Sequence, residues 1–217
     1  MSWIDNVRVL PALRNAGYPT LTITYRNDAG VPEDPSGLLR YGLTEWKDLE
    51  AGVEYAIDQG SAGVVLMGLS MGGGVIAAFL ERSDLASEVR ALVLDAPMLD
   101  FSQTIDDNAS RERLPLIGTP LPPGLTATAK LIARLRWGIK WRDLDYLEDP
   151  SIFSMPILVF HGIRYETVPI ATSDELKRLV PETQLVRCPG AGHIECWNLD
   201  PQAYESKMIS FLDDVIS

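Results

Sequence analysis

A serine between glycines is the feature of this sequence best suited to covalent chemistry. Residues 68–73 read GLSMGG, between the apolar run GVVLMG (63–68) and the helix-like run MGGGVIAAFLER (71–82). A strand, a Gly-x-Ser-x-Gly turn and a helix, in this order, present a strained serine at the carboxyl end of a sheet. This context predicts that Ser70 is a nucleophile and that the backbone N–H of Met71 points at a developing oxyanion.

A serine nucleophile needs a general base, and the sequence has two histidines, His161 and His193. His193 lies in CPGAGHIECW (188–197), a predicted loop between the last strand and the last helix. Its place after the serine matches the chain order of hydrolases with this turn. We therefore predict that His193 is the base, and that His161, at the end of a predicted strand, is structural.

The elements that must position these residues alternate between short apolar strands and amphipathic helices. Alternation of this kind indicates βαβ units with right-handed crossovers. We predict one α/β domain over 1–217, a three-layer sandwich with helices on both faces of a mostly parallel sheet of about five strands. The predicted strands are TLTITYR (20–26), GVVLMG (63–68), VRALVLDAP (89–97), MPILVFHG (155–162) and TQLVRCPG (183–190). The predicted helices include TEWKDLEAGVEYAIDQG (44–60), SDELKRLV (173–180) and DPQAYESKMISFLDDVIS (200–217).

One segment is too long for a single crossover. Residues 98–150 contain LPLIGTPLPPG (114–124), whose four prolines exclude a regular element there. The run TATAKLIARLRWGIK (126–140) then predicts a helix with Leu131, Leu135 and Ile139 along one side. We interpret residues 98–150 as a small cap or lid insertion near the edge where ligands bind in such folds.

Composition excludes several classes of partner. The net charge of −11 would repel phosphate backbones and anionic lipids, so neither nucleic acid nor a membrane is a predicted partner. There is no phosphate loop, dinucleotide fingerprint or metal-ligand cluster, so no cofactor or metal is predicted. Cys188 and Cys196 lack zinc-site spacing and are predicted to be reduced thiols. With no secretory signal or transmembrane run, we predict a soluble cytoplasmic protein.

The motifs together resemble a known family. GLSMGG (68–73), LVLDAPMLD (92–100) and GAGHIECW (190–197) make the sequence similar to an α/β-hydrolase of the serine esterase and peptidase-like group, over nearly the whole chain. The resemblance implies a Ser70 nucleophile, a His193 base and a Met71 oxyanion donor. The leading hypothesis is a carboxylesterase that acts on small acyl esters. A thioesterase and a serine peptidase share this mechanism and stay open.

The first departure from the family concerns the acid that orients the histidine. Relatives carry an aspartate in a stretch like HGxxDxxVP, whereas this sequence reads HGIRYETVP (161–169), with Tyr165 at the aspartate position. A neutral tyrosine cannot stabilise an imidazolium by charge. Glu166 is the preferred replacement, Asp95 and Asp100 are alternatives, and a dyad without an acid stays open.

The second departure concerns the start of the chain. The resemblance implies a strand between TLTITYR and GVVLMG, with a loop that supplies the second oxyanion donor, but SWIDNVRVLPALRNAGY (2–18) instead predicts the first helix. An open central edge invites association, so we expect a re-paired sheet or a homo-oligomer through that edge. These departures favour a second hypothesis: a catalytically impaired relative, or a fragment of a longer enzyme, that acts as a binding or interaction protein.

Overall fold

The computed structural model describes residues 7–28, 30–31, 33–35, 37–113, 118–119, 121–122, 124–164 and 167–216. Strands and helices alternate through most of this range, as the sequence predicts. The strands are β1 (Val64–Leu69), β2 (Val89–Asp95), β3 (Ile157–Gly162) and β4 (Gln184–Cys188). The α-helices are α1 (Leu10–Asn15), α2 (Trp46–Asp58), α3 (Met71–Arg82), α4 (Phe101–Arg111), α5 (Leu125–Trp137), α6 (Ile170–Leu179), α7 (Cys196–Leu199) and α8 (Pro201–Ile216). Short 3₁₀ turns cover Asp84–Glu88, Trp141–Leu144 and Pro150–Ile152.

The sheet is parallel and lies between two helical layers. Its order is β1-β2-β3-β4, so each strand pairs with the next one along the chain. Side chains of a strand alternate between faces, and β2 shows this directly: Leu92 and Leu94 pack with α2, α3 and α6, whereas Val93 packs with α8. The predicted three-layer α/β fold is confirmed.

The predicted strand over TLTITYR is wrong. Thr20–Tyr25 forms no strand, and the described sheet has four strands where about five were predicted. Ile23 and Tyr25 lie against helices instead, whereas Thr20, Thr22 and Thr24 are exposed. A Cβ on Gly52 of α2 would lie 3.0 Å from a methyl carbon of Ile23, and one on Gly72 would lie 3.7 Å from the Tyr25 hydroxyl. Among the described strands, β1 pairs only with β2 and therefore forms an edge of the sheet.

The chain between β2 and β3 holds the predicted helix, with an unexpected orientation. Within α5, Leu131 is 54% exposed and Leu135 is 77% exposed. The opposite side of α5 faces the domain, where the Lys130 ammonium contacts the Asp106 carboxylate of α4 at 2.6 Å. Ile139 lies beyond the end of α5. A cap function for residues 98–150 stays a prediction, and parts of its proline-rich stretch lie outside the described residues.

Glycines allow α3 to pack closely on its surroundings, but Gly72 is not one that must be glycine. A Cβ on Gly68 would lie 2.6 Å from the Cδ1 atom of Ile76. One on Gly73 would lie 2.5 Å from the Cβ atom of Pro97 and 2.9 Å from its Cα atom. One on Gly72 would meet only the Tyr25 hydroxyl, at an ordinary contact distance. The close approach therefore depends on Gly68 and Gly73, and also on Gly74, where a Cβ would lie 2.9 Å from the Met98 carbonyl oxygen.

Two adjacent substitutions test this packing. We expect Gly73→Ala to lower the free energy of unfolding by about 1–3 kcal/mol, because the new methyl group collides with the Pro97 backbone. We expect Gly72→Ala to be neutral, or to stabilise by up to about 1 kcal/mol, because alanine favours the helix. Urea unfolding measures both values, and equal losses would contradict the packing described here.

Candidate active site

Ser70 occupies the turn between β1 and α3 in a strained backbone conformation. Its φ is +48° and its ψ is −114°, and the residue is 8% exposed. Backbone hydrogen bonds on both sides hold this conformation: the Ser70 N–H donates to the Asp95 carbonyl at 2.8 Å, and the Ser70 carbonyl accepts from Gly73 at 2.9 Å and Met98 at 3.0 Å. Strain that the surroundings maintain in this way is typical of functional positions.

Met71 lies where an anion would be stabilised. It is the first residue of α3, so its N–H has no acceptor within the helix. The positive end of the helix dipole is at the same place. This placement is compatible with the predicted role of Met71 as an oxyanion donor, and that role stays a prediction.

His193 meets Ser70 although 123 residues separate them. It lies on the histidine loop, residues 189–195, which joins β4 to α7. Its Nε2 atom is 2.9 Å from the Ser70 hydroxyl oxygen. Its Nδ1 atom is buried and has no hydrogen-bond partner among the described residues. The structure therefore brings together the predicted nucleophile and the predicted base, without a described group to orient the far side of the ring.

The surroundings of His193 keep its imidazole neutral. Burial, and to a smaller extent the charge of His161, lower the pKa of His193 to about 4 against the opposing effect of the Glu195 carboxylate. A neutral ring with its proton on Nδ1 leaves Nε2 free to accept the proton of Ser70. A base with a pKa so far below 7 is poorly matched to that transfer, because the ideal catalytic pKa lies near the working pH.

The other histidine is structural, as predicted. His161 is fully buried at the end of β3. Its Nδ1 atom is 2.8 Å from the Ser173 hydroxyl oxygen, and its Nε2 atom is 3.0 Å from the Val168 carbonyl oxygen. The His161 ring thus connects the end of β3 both to the chain that follows it, at Val168, and to the first turn of α6, at Ser173.

The acid candidates fall into two groups. Tyr165 and Glu166 lie outside the described residues. Asp95 is fully buried at the end of β2, but its carboxylate does not bond to His193: it accepts from the Tyr204 hydroxyl at 3.3 Å and contacts Arg8 at 3.6 Å. Burial raises the pKa of Asp95 to about 7, against the opposing effects of Arg8 and Tyr204.

Asp100 also has a structural role in place of the acid role considered for it. Its carboxylate accepts a hydrogen bond from the Gln103 N–H at 2.8 Å and caps the start of α4. A carboxylate at this position is a common helix N-cap. Neither aspartate alternative to Glu166 therefore orients His193 in the structure.

A disulfide closes the histidine loop and corrects the prediction of reduced thiols. Cys188 ends β4, Cys196 begins α7, and the bond between them encloses His193. The sequence signal was present, because the two cysteines flank the same predicted loop. Disulfides are rare in the cytosol, so the bond does not favour the predicted cytoplasmic location, which stays a prediction. No helix within the described ranges is long and apolar enough to cross a membrane.

Further contacts fix the loop on the sheet. A Cβ on Gly162 would collide with the Gly192 carbonyl, so the loop lies directly on the end of β3. The Arg164 N–H donates to the Ala191 carbonyl at 2.8 Å, and the Arg8 guanidinium donates to the Ile194 carbonyl at 2.9 Å. Among described residues, no group of three or more His, Cys, Asp or Glu side chains could hold a metal ion.

This fold is that of an α/β-hydrolase, and the sequence comparison agrees. The model of the "Alpha/beta hydrolase family" matches residues 1–206, so the chain belongs to that family. No curated protein sequence matches the chain significantly.

Solved structures share the fold at low sequence identity. The Pyrococcus furiosus esterase Pf2001 superposes with a TM-score of 0.66 and 19% identity, covering 97% of this chain and 76% of its own. Est1E from Butyrivibrio proteoclasticus, solved with ferulic acid, superposes with a TM-score of 0.67 and 19% identity, covering 98% of this chain and 83% of its own. A bromoperoxidase from Bacillus anthracis superposes with a TM-score of 0.66 and 17% identity, covering 98% of this chain and 88% of its own. At these identities the likeness concerns the fold.

The ionisation of His193 can be measured directly. We expect its ring to titrate near pH 4, because burial disfavours the imidazolium, so its resonance should not shift between about pH 5.5 and 8. Activity that needs the neutral ring should be lost only as the pH falls toward 4. NMR titration tests this, with His193→Gln to assign the signal, and a midpoint near 6.5 would contradict it.

Reduction of the disulfide should weaken the site. A dithiol reductant converts the Cys188–Cys196 bond to two thiols and is itself oxidised to a disulfide. Because the freed loop would no longer hold His193 in place, we expect the rate of serine labelling by a fluorophosphonate to fall on the order of 10-fold.

The control for this measurement is the double variant Cys188→Ser and Cys196→Ser. It should label slowly with or without reductant. Equal rates for the reduced and oxidised wild-type protein would show that the bond does not position the histidine.

Proposed function

We propose that this protein is a serine hydrolase, and specifically a carboxylesterase for small acyl esters. The observation that carries the proposal is the 2.9 Å contact between the Ser70 hydroxyl oxygen and the His193 Nε2 atom, on a turn that strains the serine backbone. Membership of the α/β-hydrolase family supports a hydrolase, and the esterase neighbours in structure make an ester a suitable substrate class.

The proposed reaction is a two-step acyl transfer. The Ser70 oxygen attacks the ester carbonyl while His193 Nε2 accepts the hydroxyl proton. The Met71 N–H donates to the oxyanion of the tetrahedral intermediate. His193 then returns the proton to the leaving alcohol, which gives an acyl-enzyme. Water, activated by the same imidazole, hydrolyses the acyl group and restores Ser70.

Glu166 is the proposed acid. Asp95 and Asp100 are occupied elsewhere, and the Nδ1 atom of His193 needs an acceptor that the described residues do not supply. A carboxylate at Nδ1 would also stabilise the imidazolium that forms when His193 accepts the serine proton.

A second candidate function is a binding protein with impaired catalysis. The His193 Nδ1 atom, which has no partner among the described residues, and the low pKa of His193 favour it, because an imidazolium without an orienting charge forms less readily. A thioester and a peptide substrate remain compatible with the proposed mechanism. The edge strand β1 is the proposed contact for a second copy of the chain.

Covalent labelling combined with turnover tests the proposal. We expect a fluorophosphonate to label the wild-type protein, and p-nitrophenyl acetate to be hydrolysed at a measurable rate. Ser70→Ala should abolish both, because it removes the attacking oxygen. A p-nitrophenyl butyrate, a thioester and a peptide anilide in the same assay rank the substrate classes.

Further variants define the outcome. Glu166→Gln should lower turnover by up to about 10⁴-fold if this side chain is the acid, as loss of the orienting carboxylate does in serine triads. Ser110→Ala, on the surface of α4, is the matched control for Ser70→Ala and should leave turnover unchanged. Turnover that survives in Ser70→Ala, or no labelling of the wild-type protein, would contradict the enzyme and favour the binding protein.

A further inference from the structure

Arg8 reaches from the N-terminal segment to the histidine loop. Its guanidinium donates to the Ile194 carbonyl at 2.9 Å and to the Asn198 side-chain oxygen at 3.1 Å. The same group lies 3.6 Å from the Asp95 carboxylate and 5.8 Å above the Trp197 ring. The Arg8 side chain is only 14% exposed, so water screens these contacts weakly.

The residue that accepts the shortest of these bonds follows His193 directly. Ile194 has a φ of +55°, a conformation that is unfavourable for a β-branched residue and must be maintained by its surroundings. The bond from Arg8 to the Ile194 carbonyl is one contact that can maintain it. A change at Ile194 would turn the adjacent His193 backbone and move its ring relative to Ser70.

The other end of the Arg8 contact is connected to the serine turn. Asp95 uses its backbone carbonyl to hold the Ser70 N–H at 2.8 Å, and its buried carboxylate to face Arg8. A continuous set of contacts thus runs from Ser70 through Asp95 and Arg8 to Ile194, beside the direct contact between the two catalytic candidates. Its parts come from four separate regions of the sequence.

We propose that Arg8 is a positioning residue for His193, which it holds through the Ile194 carbonyl while its guanidinium lies against the buried Asp95 carboxyl group. The inference rests on the proposed function for its effect on rate, but not for its effect on the histidine. It explains how the ring can face Ser70 although no described group bonds to its Nδ1 atom. A lysine could not replace the arginine fully, because one ammonium cannot reach acceptors that the planar guanidinium contacts with two nitrogens.

The test compares Arg8→Gln and Arg8→Lys with Arg14→Gln, which removes an exposed arginine from the same segment. We expect Arg8→Gln to lower kcat for p-nitrophenyl acetate about 10- to 100-fold with little change in KM, because Arg8 orients the base and does not touch substrate. Arg8→Lys should recover part of the loss. Arg14→Gln should match the wild-type protein.

An NMR measurement separates this proposal from the proposed function. The His193 ring resonance, assigned with His193→Gln, should shift or broaden in Arg8→Gln and stay unchanged in Arg14→Gln. The His193 resonance can be measured even if the wild-type protein neither reacts with a fluorophosphonate nor hydrolyses p-nitrophenyl acetate. That outcome would refute the proposed hydrolase function but not the positioning role of Arg8. Asn198→Ala removes one acceptor of Arg8 and gives a milder variant if Arg8→Gln fails to fold. His193 resonances that are the same in wild type, Arg8→Gln, Arg8→Lys and Asn198→Ala would overturn the positioning role.

Discussion

The strained backbone of Ser70 determines how the strands, the helix and the histidine loop must be arranged around it. A serine with a φ of +48° is stable only because its N–H and its carbonyl are both bound to the chain at the end of β2. That arrangement requires β1 and β2 to be parallel neighbours, and α3 to start immediately after the serine. Gly68 and Gly73 permit the close packing that results. Because the sheet is parallel, the carboxyl ends of β3 and β4 lie on the same side as the serine turn, and the histidine loop follows β4 there.

The histidine loop is fixed in a different way from the serine turn. No single strand or helix determines where His193 lies, so separate contacts must do so. The disulfide joins the two ends of the loop, Gly162 lets it lie on β3, and Arg8 holds the backbone after the histidine. In a triad, a carboxylate on Nδ1 provides both position and charge. Here the described contacts provide position but no charge, which is why burial leaves the pKa of His193 low.

The sequence predicts the parts of this protein that depend on local pattern. Apolar runs such as VVLMGL and ILVFHG are strands because both faces of the sheet are covered, and the Gly-x-Ser-x-Gly turn follows from its neighbours. The strand predicted for TLTITYR is wrong because β-branched content favours a strand only where a neighbouring strand is available. The roles of Arg8, Asp95 and Tyr204 were not predictable, since each depends on contacts between distant segments. The disulfide could have been predicted from the sequence, because its two cysteines flank one predicted loop.

Ser70 and His193 are proposed to act together on an acyl group at the start of α3. A crystal structure of the protein after treatment with a fluorophosphonate tests this joint role. We expect phosphorus bonded to the Ser70 oxygen, one phosphonyl oxygen about 2.7–3.1 Å from the Met71 nitrogen, and His193 Nε2 still facing the serine. An unmodified Ser70, or an adduct whose oxygen points away from α3 with His193 displaced, would contradict it.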